Sequence, residues 1–485
     1  MIKQRYITLM RVIGILLILE AGFMLLSLGV AIAYGGNDIL PLSLSTGITM
    51  MMGLTLRFFK RRQRITHIDP KLGFMIVAMI WLVMSVFGAL PYFLGGYTQS
   101  YFDAFFESMS GFSTTSATII TNVEALPNGI LFWRSLTNWI GGVGIVVIVI
   151  SFIPFFGGGG MSLFAAEVTG PNKGKLSPHI KTTGKIIVAI YVSLTLIAAL
   201  CLWIGGMTPF DAVCHAFATL SSGGFSTKNT SISLYSPLIH YILIVFMIPS
   251  GINFPIMYYA IKGRFRKIVI NEEFKVYIYA ILVATGVIFL LTYDTSLGLE
   301  ASFRHSLFQT VSIITSAGFI SYDYALWGTS ASLILLLLMF SGAMSGSTTG
   351  GLKIIRIIIL FKNAKQIIKR SFHKRAVLPI KFEKQIVEPR VVHNVLIVFL
   401  LFIITFVVAV LALVGMGLDL EEAAGASVSC LSNMGTGFGD IGAFGDYSTI
   451  SNSAKAIFIS LMYLGRLELV TVLVLFMPSF WKRSF

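Results

Sequence analysis

FDAFFESMSGFSTTSAT, residues 102–118, and FDAVCHAFATLSSGGFST, residues 210–227, open on the same tripeptide and end in the same kind of turn. Ser116 lies fourteen positions after Phe102, and Gly224 lies fourteen after Phe210. Two more stretches follow the pattern, SFRHSLFQTVSIITSAGFIS (302–321) and LEEAAGASVSCLSNMGTGFGD (420–440). In these, Gly318 and Gly435 come fifteen positions after Phe303 and Leu420. Each stretch begins with a moderately apolar segment (101–113, 210–222, 302–316 and 420–433) and runs into a turn rich in glycine or hydroxyl side chains. A spanning helix needs about 20 apolar residues, so these short segments predict re-entry rather than crossing. A unit that recurs four times at nearly fixed spacing decides the fold.

Outward from these segments run ten hydrophobic spans, at 7–34, 39–59, 72–95, 130–156, 184–206, 236–262, 275–293, 328–361, 391–416 and 452–477. The chain is 56% hydrophobic and 12% charged, with a mean hydropathy of +0.85. A soluble domain carries about a quarter charged residues, so that class is excluded. The runs are continuous rather than alternating, which excludes a strand barrel. The expected fold is an all-α polytopic membrane protein: four repeated membrane–pore-loop–membrane units around one pore, pseudo-tetrameric, plus an extra N-terminal transmembrane hairpin. The expected boundaries are 1–66 for the hairpin and 67–165, 166–270, 271–385 and 386–485 for the repeats, the third with a broken second helix.

The net charge of +15 is organised by topology. Basic residues gather in RFFKRRQR (57–64), KGRFRK (262–267) and the tract from Lys362 to Arg390, and acidic residues such as Asp103, Glu124, Asp211 and Asp440 gather in the other set of loops. The positive-inside rule then puts the basic loops and both termini in the cytoplasm, and no nucleic-acid footprint is implied. Cys201, Cys214 and Cys430 stand isolated in apolar surroundings, without metal-ligand spacing or a disulfide pattern. Lys3, Arg5 and Arg11 before an apolar run give the N-terminus a faint signal-peptide character. That run is long and is followed at once by another, so an anchored hairpin is expected, with a cleaved peptide as the alternative.

Non-helical backbone at membrane depth must line water or be buried in protein, because lipid cannot satisfy its N–H and C=O groups. Four half-helices entering from outside point their C-terminal ends inward, where the partial negative charge favours a cation. The turns TTSAT, SSGGF, TSAGF and NMGTG offer carbonyls and hydroxyls toward a shared axis, the arrangement by which cation filters replace a hydration shell. An acidic outer face concentrates cations further.

On these motifs the sequence resembles the TrkH-type potassium uptake proteins of the Trk/Ktr/HKT superfamily over essentially its whole length. The resemblance implies a K⁺-channel-like pore whose selectivity filter is Thr114, Thr115 and Ser116; Ser222, Gly223 and Gly224; Ser316, Ala317 and Gly318; Asn433, Met434 and Gly435. K⁺ would bind only there. Ser116 departs from a strict pattern of glycine, and family members with serine at this place can discriminate less against sodium. The resemblance also implies potassium uptake across the bacterial inner membrane, a homodimer, and a cytosolic ring of TrkA-type nucleotide-binding regulatory subunits. That ring would contact the cytoplasmic tracts 157–181 and Lys362 to Arg390. Attraction of those basic tracts to anionic lipid is the simpler reading.

The span at 328–361 is interrupted. Ser341, Gly342, Ala343, Met344, Ser345, Gly346, Ser347, Thr348, Thr349, Gly350 and Gly351 separate SASLILLLLM from IIRIIILF, each too short to cross alone. Broken helices are tolerated where they line a cavity, and the glycines permit rearrangement. The position matches the loop that gates the pore below the filter in the family. A small-residue packing face is the plainer alternative. Arg466 in the last span is costly at membrane depth; it matches a pore-side arginine of the family, and a hydrogen-bonding role toward the loop is compatible with that. Glu468, two residues on, is expected to cap or pair elsewhere.

Glu20 is expected to lie buried against a neighbouring polar group. His215 and His305, within the short segments, are expected to pack or hydrogen-bond rather than relay protons. GFGDIG (437–442) matches a dinucleotide pattern, yet it follows no strand and opens no helix, and STTGGLK lacks the ending of a phosphate-binding loop. No cofactor is expected in this chain, and no convergent acid–base or metal constellation suggests an enzyme. The competing transport class is a secondary symporter coupling K⁺ to H⁺ or Na⁺. Repeats of one orientation, each supplying a turn from the same side, favour a pore.

Overall fold

The computed structural model describes residues 2–59, 70–152, 180–372, 378–383 and 385–481. An N-terminal hairpin, α1 (Ile2–Tyr34) and α2 (Ile39–Phe58), precedes four copies of one unit. Repeat 1 comprises α3 (Pro70–Gly88), the short α4 (Leu90–Leu94), the pore helix α5 (Tyr101–Phe112) and α6 (Asn128–Phe152). Repeat 2 comprises α7 (Ile180–Ile204), the pore helix α8 (Pro209–Leu220), then α9 (Pro237–Ser250) and α10 (Phe254–Ile261), and is followed by α11 (Phe265–Ile270). Repeat 3 comprises α12 (Glu272–Thr292), the pore helix α13 (Gly298–Ile314), α14 (Thr329–Ser341) and α15 (Ile354–Phe372). A small antiparallel hairpin, β1 (Lys381–Phe382) and β2 (Gln385–Ile386), pairs Lys381 with Ile386 and leads to repeat 4. That repeat comprises α16 (Pro389–Gly415), the pore helix α17 (Leu420–Leu431), α18 (Asn452–Leu467) and α19 (Leu469–Phe476), with α20 (Pro478–Trp481) after it.

Among the described residues, six helical segments are long and apolar enough to cross a bilayer alone, and two bent pairs bring the number to eight. The bent pairs correct the sequence reading, which took 236–262 and 452–477 as unbroken spans. The helix α9 meets α10 at 111°, and α18 meets α19 at 112°. In repeat 2 the break falls at Gly251–Asn253, between Pro249 and Pro255, whose missing N–H groups interrupt the ladder on either side. In repeat 4 Glu468 adopts φ +60°, which ends α18 and starts α19 in a new direction. The break in repeat 3 runs from the end of α14 at Ser341 to the start of α15 at Ile354. The second helices of repeats 2, 3 and 4 are therefore all interrupted, and hydropathy alone showed only the longest gap.

Packing follows the repeats. One apolar cluster joins the hairpin, repeat 1 and repeat 4 through residues such as Met24, Phe106, Trp133 and Phe458. A second joins repeats 2 and 3 through Leu243, Tyr277, Phe308 and Ile355. A third closes repeat 3 onto repeat 4, with Tyr324 and Leu335 against Val428 and Phe438. Large apolar side chains such as Leu196, Leu290, Leu337 and Leu411 are exposed on the outside, as a lipid-facing surface requires.

Candidate functional site

The four pore helices end alike, and the first two also begin alike. Ser100 caps α5 by accepting the Asp103 N–H at 3.1 Å, and Thr208 caps α8 by accepting the Asp211 N–H at 3.1 Å, which satisfies an otherwise orphaned donor of the first turn. At the other end, the N–H groups of Thr115, Gly223, Ala317 and Met434 donate to the carbonyls of Ser110, Ala218, Ser312 and Ser429 at 2.8–2.9 Å. This six-to-one closure is a Schellman ending, and it requires a left-handed residue just before the donor. Thr114, Ser222, Ser316 and Asn433 occupy that place with φ between +53° and +56°. Two positions later the backbone is left-handed again, at Ser116 (φ +62°), Gly224 (+100°), Gly318 (+68°) and Gly435 (+91°). A non-glycine residue in this region costs about 1–2 kcal/mol, so the repeated sign pattern is held by the surrounding structure.

The turns meet in cyclic order. A Cβ on Gly224 would overlap the carbonyl oxygen of Ala317 in the next repeat. One on Gly318 would overlap that of Met434, and one on Gly435 that of Thr115. These contacts join turn 2 to 3, 3 to 4 and 4 to 1. The remaining seam has a side chain in it: Asn138 Nδ2 donates to Ser116 Oγ at 2.7 Å, and a Cβ on Gly223 would overlap the same nitrogen. Asn433 Nδ2 adds a bond to Thr115 Oγ1 at 3.0 Å, and the Tyr447 hydroxyl donates to the Gly435 carbonyl at 3.1 Å. All twelve residues singled out in the sequence lie in this ring, with four helix C-termini directed toward it.

The Ser341–Gly351 loop packs against the ring. A Cβ on Gly350 would overlap the Ser432 carbonyl at the end of α17. The Thr348 hydroxyl lies 2.9 Å from the Ser222 hydroxyl and 3.2 Å from the Leu220 and Ser250 carbonyls. The loop closes on itself, Leu352 N–H to Phe340 O at 3.1 Å and Ile354 N–H to Ala343 O at 3.0 Å. The Glu273 carboxylate accepts the Ser345 N–H at 2.7 Å, Asn253 Nδ2 donates to the Ser345 carbonyl at 2.6 Å, and Met344 N–H donates to Gly251 O at 3.1 Å. Lys353 Nζ reaches the Thr349 carbonyl and, at 3.1 Å, its hydroxyl. Arg466 donates to the Thr348 carbonyl and to the Gly141 carbonyl, both at 2.7 Å. Glu468 pairs with Arg356 at 2.6 Å. The loop is thus bonded to repeats 2 and 4 and to the first helix of its own repeat, and Arg466 links it onward to repeat 1 through Gly141.

A family model for TrkH, described as a cation transport protein, matches residues 43–483. The chain belongs to the TrkH family. It is similar to the Trk system potassium uptake protein TrkH of Salmonella typhimurium, 37% identical over 97% of this chain and 98% of that protein. The Trk system potassium uptake protein TrkG of Escherichia coli is 36% identical over 84% of this chain and 85% of its own length. The crystal structure of the potassium transporter TrkH from Vibrio parahaemolyticus superposes with a TM-score of 0.89 at 34% identity, over 98% of this chain and all of that one. The multi-pass helical fold is therefore that of TrkH.

Several residues of this TrkH-family chain escaped the sequence reading. Glu107 on α5 pairs with Arg134 on α6 at 2.7 Å, both buried. Glu107 also accepts the Ile119 N–H at 2.9 Å, while Arg134 Nη1 donates to the Ser226 carbonyl at 2.9 Å and its guanidinium stacks 3.5 Å from the Phe225 ring. One ion pair thus braces the strands that leave turns 1 and 2. Lys455 pairs with Asp103 at 2.9 Å and ties repeat 4 to repeat 1. The available signal was an ionisable residue inside an apolar run, which demands a partner, although sequence alone does not name it. His215 hydrogen-bonds Ser226 Oγ at 2.9 Å and His305 bonds Ser321 Oγ at 3.1 Å, each serving as a brace.

Glu20 is fully buried, as expected, but its carboxylate oxygens have no hydrogen-bond partner among the described residues. It borders the space at Gly88, beside Ser108 and the Phe112 ring, because Gly88 has no side chain to fill that space. Residues 153–179, which take in all but the last two residues of the first expected partner-contact tract, lie outside the described residues, as do 373–377 and 384 of the second and 60–64 of the first basic run.

Proposed function

We propose that this chain takes up potassium across the inner membrane through a channel-like pore and acts as a transporter, not an enzyme. Carbonyls and hydroxyls of the twelve turn residues form the selectivity filter and replace the hydration shell of K⁺. The four helix C-termini add favourable potential for a cation. The Ser341–Gly351 loop, held by Arg466, is the gate beneath it. The basic segments and both termini face the cytoplasm, where a TrkA-type nucleotide-binding ring acts on a homodimer. The printed names of the relatives, potassium uptake proteins of the Trk system, support the choice of ion.

One observation carries the reading: at three seams the glycine of one turn packs against the middle carbonyl of the next, always in the same cyclic sense. Four segments from one chain therefore enclose a single axis, which suits passage along that axis better than alternating access to a midplane site.

The test is flux through the purified chain in liposomes, K⁺ against Na⁺, with and without a pH gradient. Deletion of 341–351 is measured alongside. Passive K⁺ flux that the deletion accelerates is the expected result. K⁺ movement against its gradient, driven only by H⁺ or Na⁺, would replace the channel mechanism with symport.

A further inference from the structure

Three of the four seams in the ring are made by glycine, and the fourth is made by two side chains. Ser116 holds the place that Gly224, Gly318 and Gly435 hold elsewhere. Its hydroxyl accepts from Asn138 Nδ2 at 2.7 Å. Asn138 is fully buried on α6, and its amide nitrogen is wedged against Gly223 of the second turn, where a Cβ would overlap it. The amide oxygen, Asn138 Oδ1, has no hydrogen-bond partner among the described residues. The one bond the side chain makes here is therefore to the serine.

A serine hydroxyl has one hydrogen and two lone pairs and rotates to suit its surroundings. Left free beside the axis, Ser116 Oγ adds a mobile oxygen to the ligands of a passing cation. Discrimination between K⁺ and Na⁺ depends on the number and field strength of those ligands. A mobile hydroxyl follows the smaller ion inward, which the packed carbonyls do not. The Asn138 N–H takes up a lone pair of Oγ, draws the hydroxyl onto α6 and turns the positive end of its dipole toward it.

We propose that Asn138 is a positioning residue for ion selection: it holds Ser116 Oγ out of the cation's ligand set, so that the first turn behaves as its three glycine counterparts do. The inference rests on the filter reading above. It assigns Asn138 no contact with the ion, and it predicts that the residue matters only while residue 116 has a hydroxyl.

The experiment uses the full chain in liposomes and reads the K⁺/Na⁺ flux ratio. Asn138→Ala removes the amide, and Asn138→Leu fills its space without an N–H. Each is made alone and together with Ser116→Gly. Alone, both are expected to lower the ratio about fivefold, the scale of one hydrogen bond. Combined with Ser116→Gly, they are expected to leave the ratio within about twofold of Ser116→Gly alone. Equal drops in both backgrounds, or none in either, overturn the proposal. Should the Asn138 variants fail to reach the membrane, rescue by Ser116→Gly supports it and failure in both backgrounds overturns it. Gly318→Ala separates this inference from its premise. If that variant still conducts, the filter reading falls. If it is silent while Asn138→Ala keeps the normal ratio, only the role of Asn138 falls.

Discussion

Arg466 donates to the carbonyl of Thr348 at 2.7 Å, so the bend of the last repeat holds the loop of the third. Its other terminal nitrogen is committed to Gly141 O, and the residue is 4% exposed. A charge-assisted bond of this kind contributes about 1.5–3 kcal/mol. Arg466→Ala is therefore expected to free the loop and, on the gate reading proposed above, to raise passive K⁺ flux by about tenfold or more. Arg466→Lys, which replaces the forked guanidinium with one ammonium nitrogen, should fall between. Unchanged flux in liposomes would remove Arg466 from the gate.

Glu273 reaches the same loop from the first helix of its repeat. Loss of a partner from a buried N–H costs about 1–3 kcal/mol. Glu273→Ala, which strips the Ser345 N–H of its acceptor, should raise leak flux by about tenfold. Glu273→Gln keeps a carbonyl acceptor and is expected to change flux little. A matching pair of effects in the two variants would show that charge, not the hydrogen bond, is what counts.

The glycine seams admit no side chain. Gly435 has φ +91°, and a Cβ there would meet the Thr115 carbonyl. Gly435→Ala is expected to lower K⁺ flux more than about tenfold, because the strain of about 1–2 kcal/mol adds to a displaced carbonyl. Gly286 on α12, with no atom within 4 Å of an added Cβ, is the control. Gly286→Ala should leave flux unchanged. Flux assayed in the same vesicles decides it.

The buried Glu107–Arg134 pair sets the stability of this end of the molecule. Removing one charge leaves the other uncompensated, at a cost of about 3–5 kcal/mol. Glu107→Gln should therefore lower the thermal unfolding temperature in detergent. The double variant Glu107→Gln with Arg134→Met should recover part of the loss. A double variant as unstable as the sum of the single changes would mean that the pair is not coupled.

The ring was legible in the sequence because its geometry repeats. Phe102 to Ser116 and Phe210 to Gly224 carry equal spacing, and glycine marks one left-handed position in three of the four turns. The loop was legible for the opposite reason: a long run of small residues breaks a hydrophobic pattern. The shorter breaks were hidden. Gly251 and Glu468 sit in runs that remain apolar on average, and a two- or three-residue change of direction barely alters hydropathy. Pro249 and Pro255 flank the first and were the available clue. Pairings such as Glu107 with Arg134 or Asn138 with Ser116 depend on how helices face one another, which spacing along one chain does not encode. The pore helix α13 begins at Gly298, four residues before the expected 302, because Asp294 turns the chain there by accepting the Ser296 N–H at 2.8 Å.

A ring assembled from four identical subunits receives every substitution in quadruplicate, so its properties change in coarse steps. Here each quarter is written separately along one chain, and the seam between the first two quarters has already diverged in its chemistry. A single codon can alter one quarter and leave three as they were. On the filter reading proposed above, conductance and ion preference can therefore drift by small increments, a path closed to a symmetric assembly of the same size.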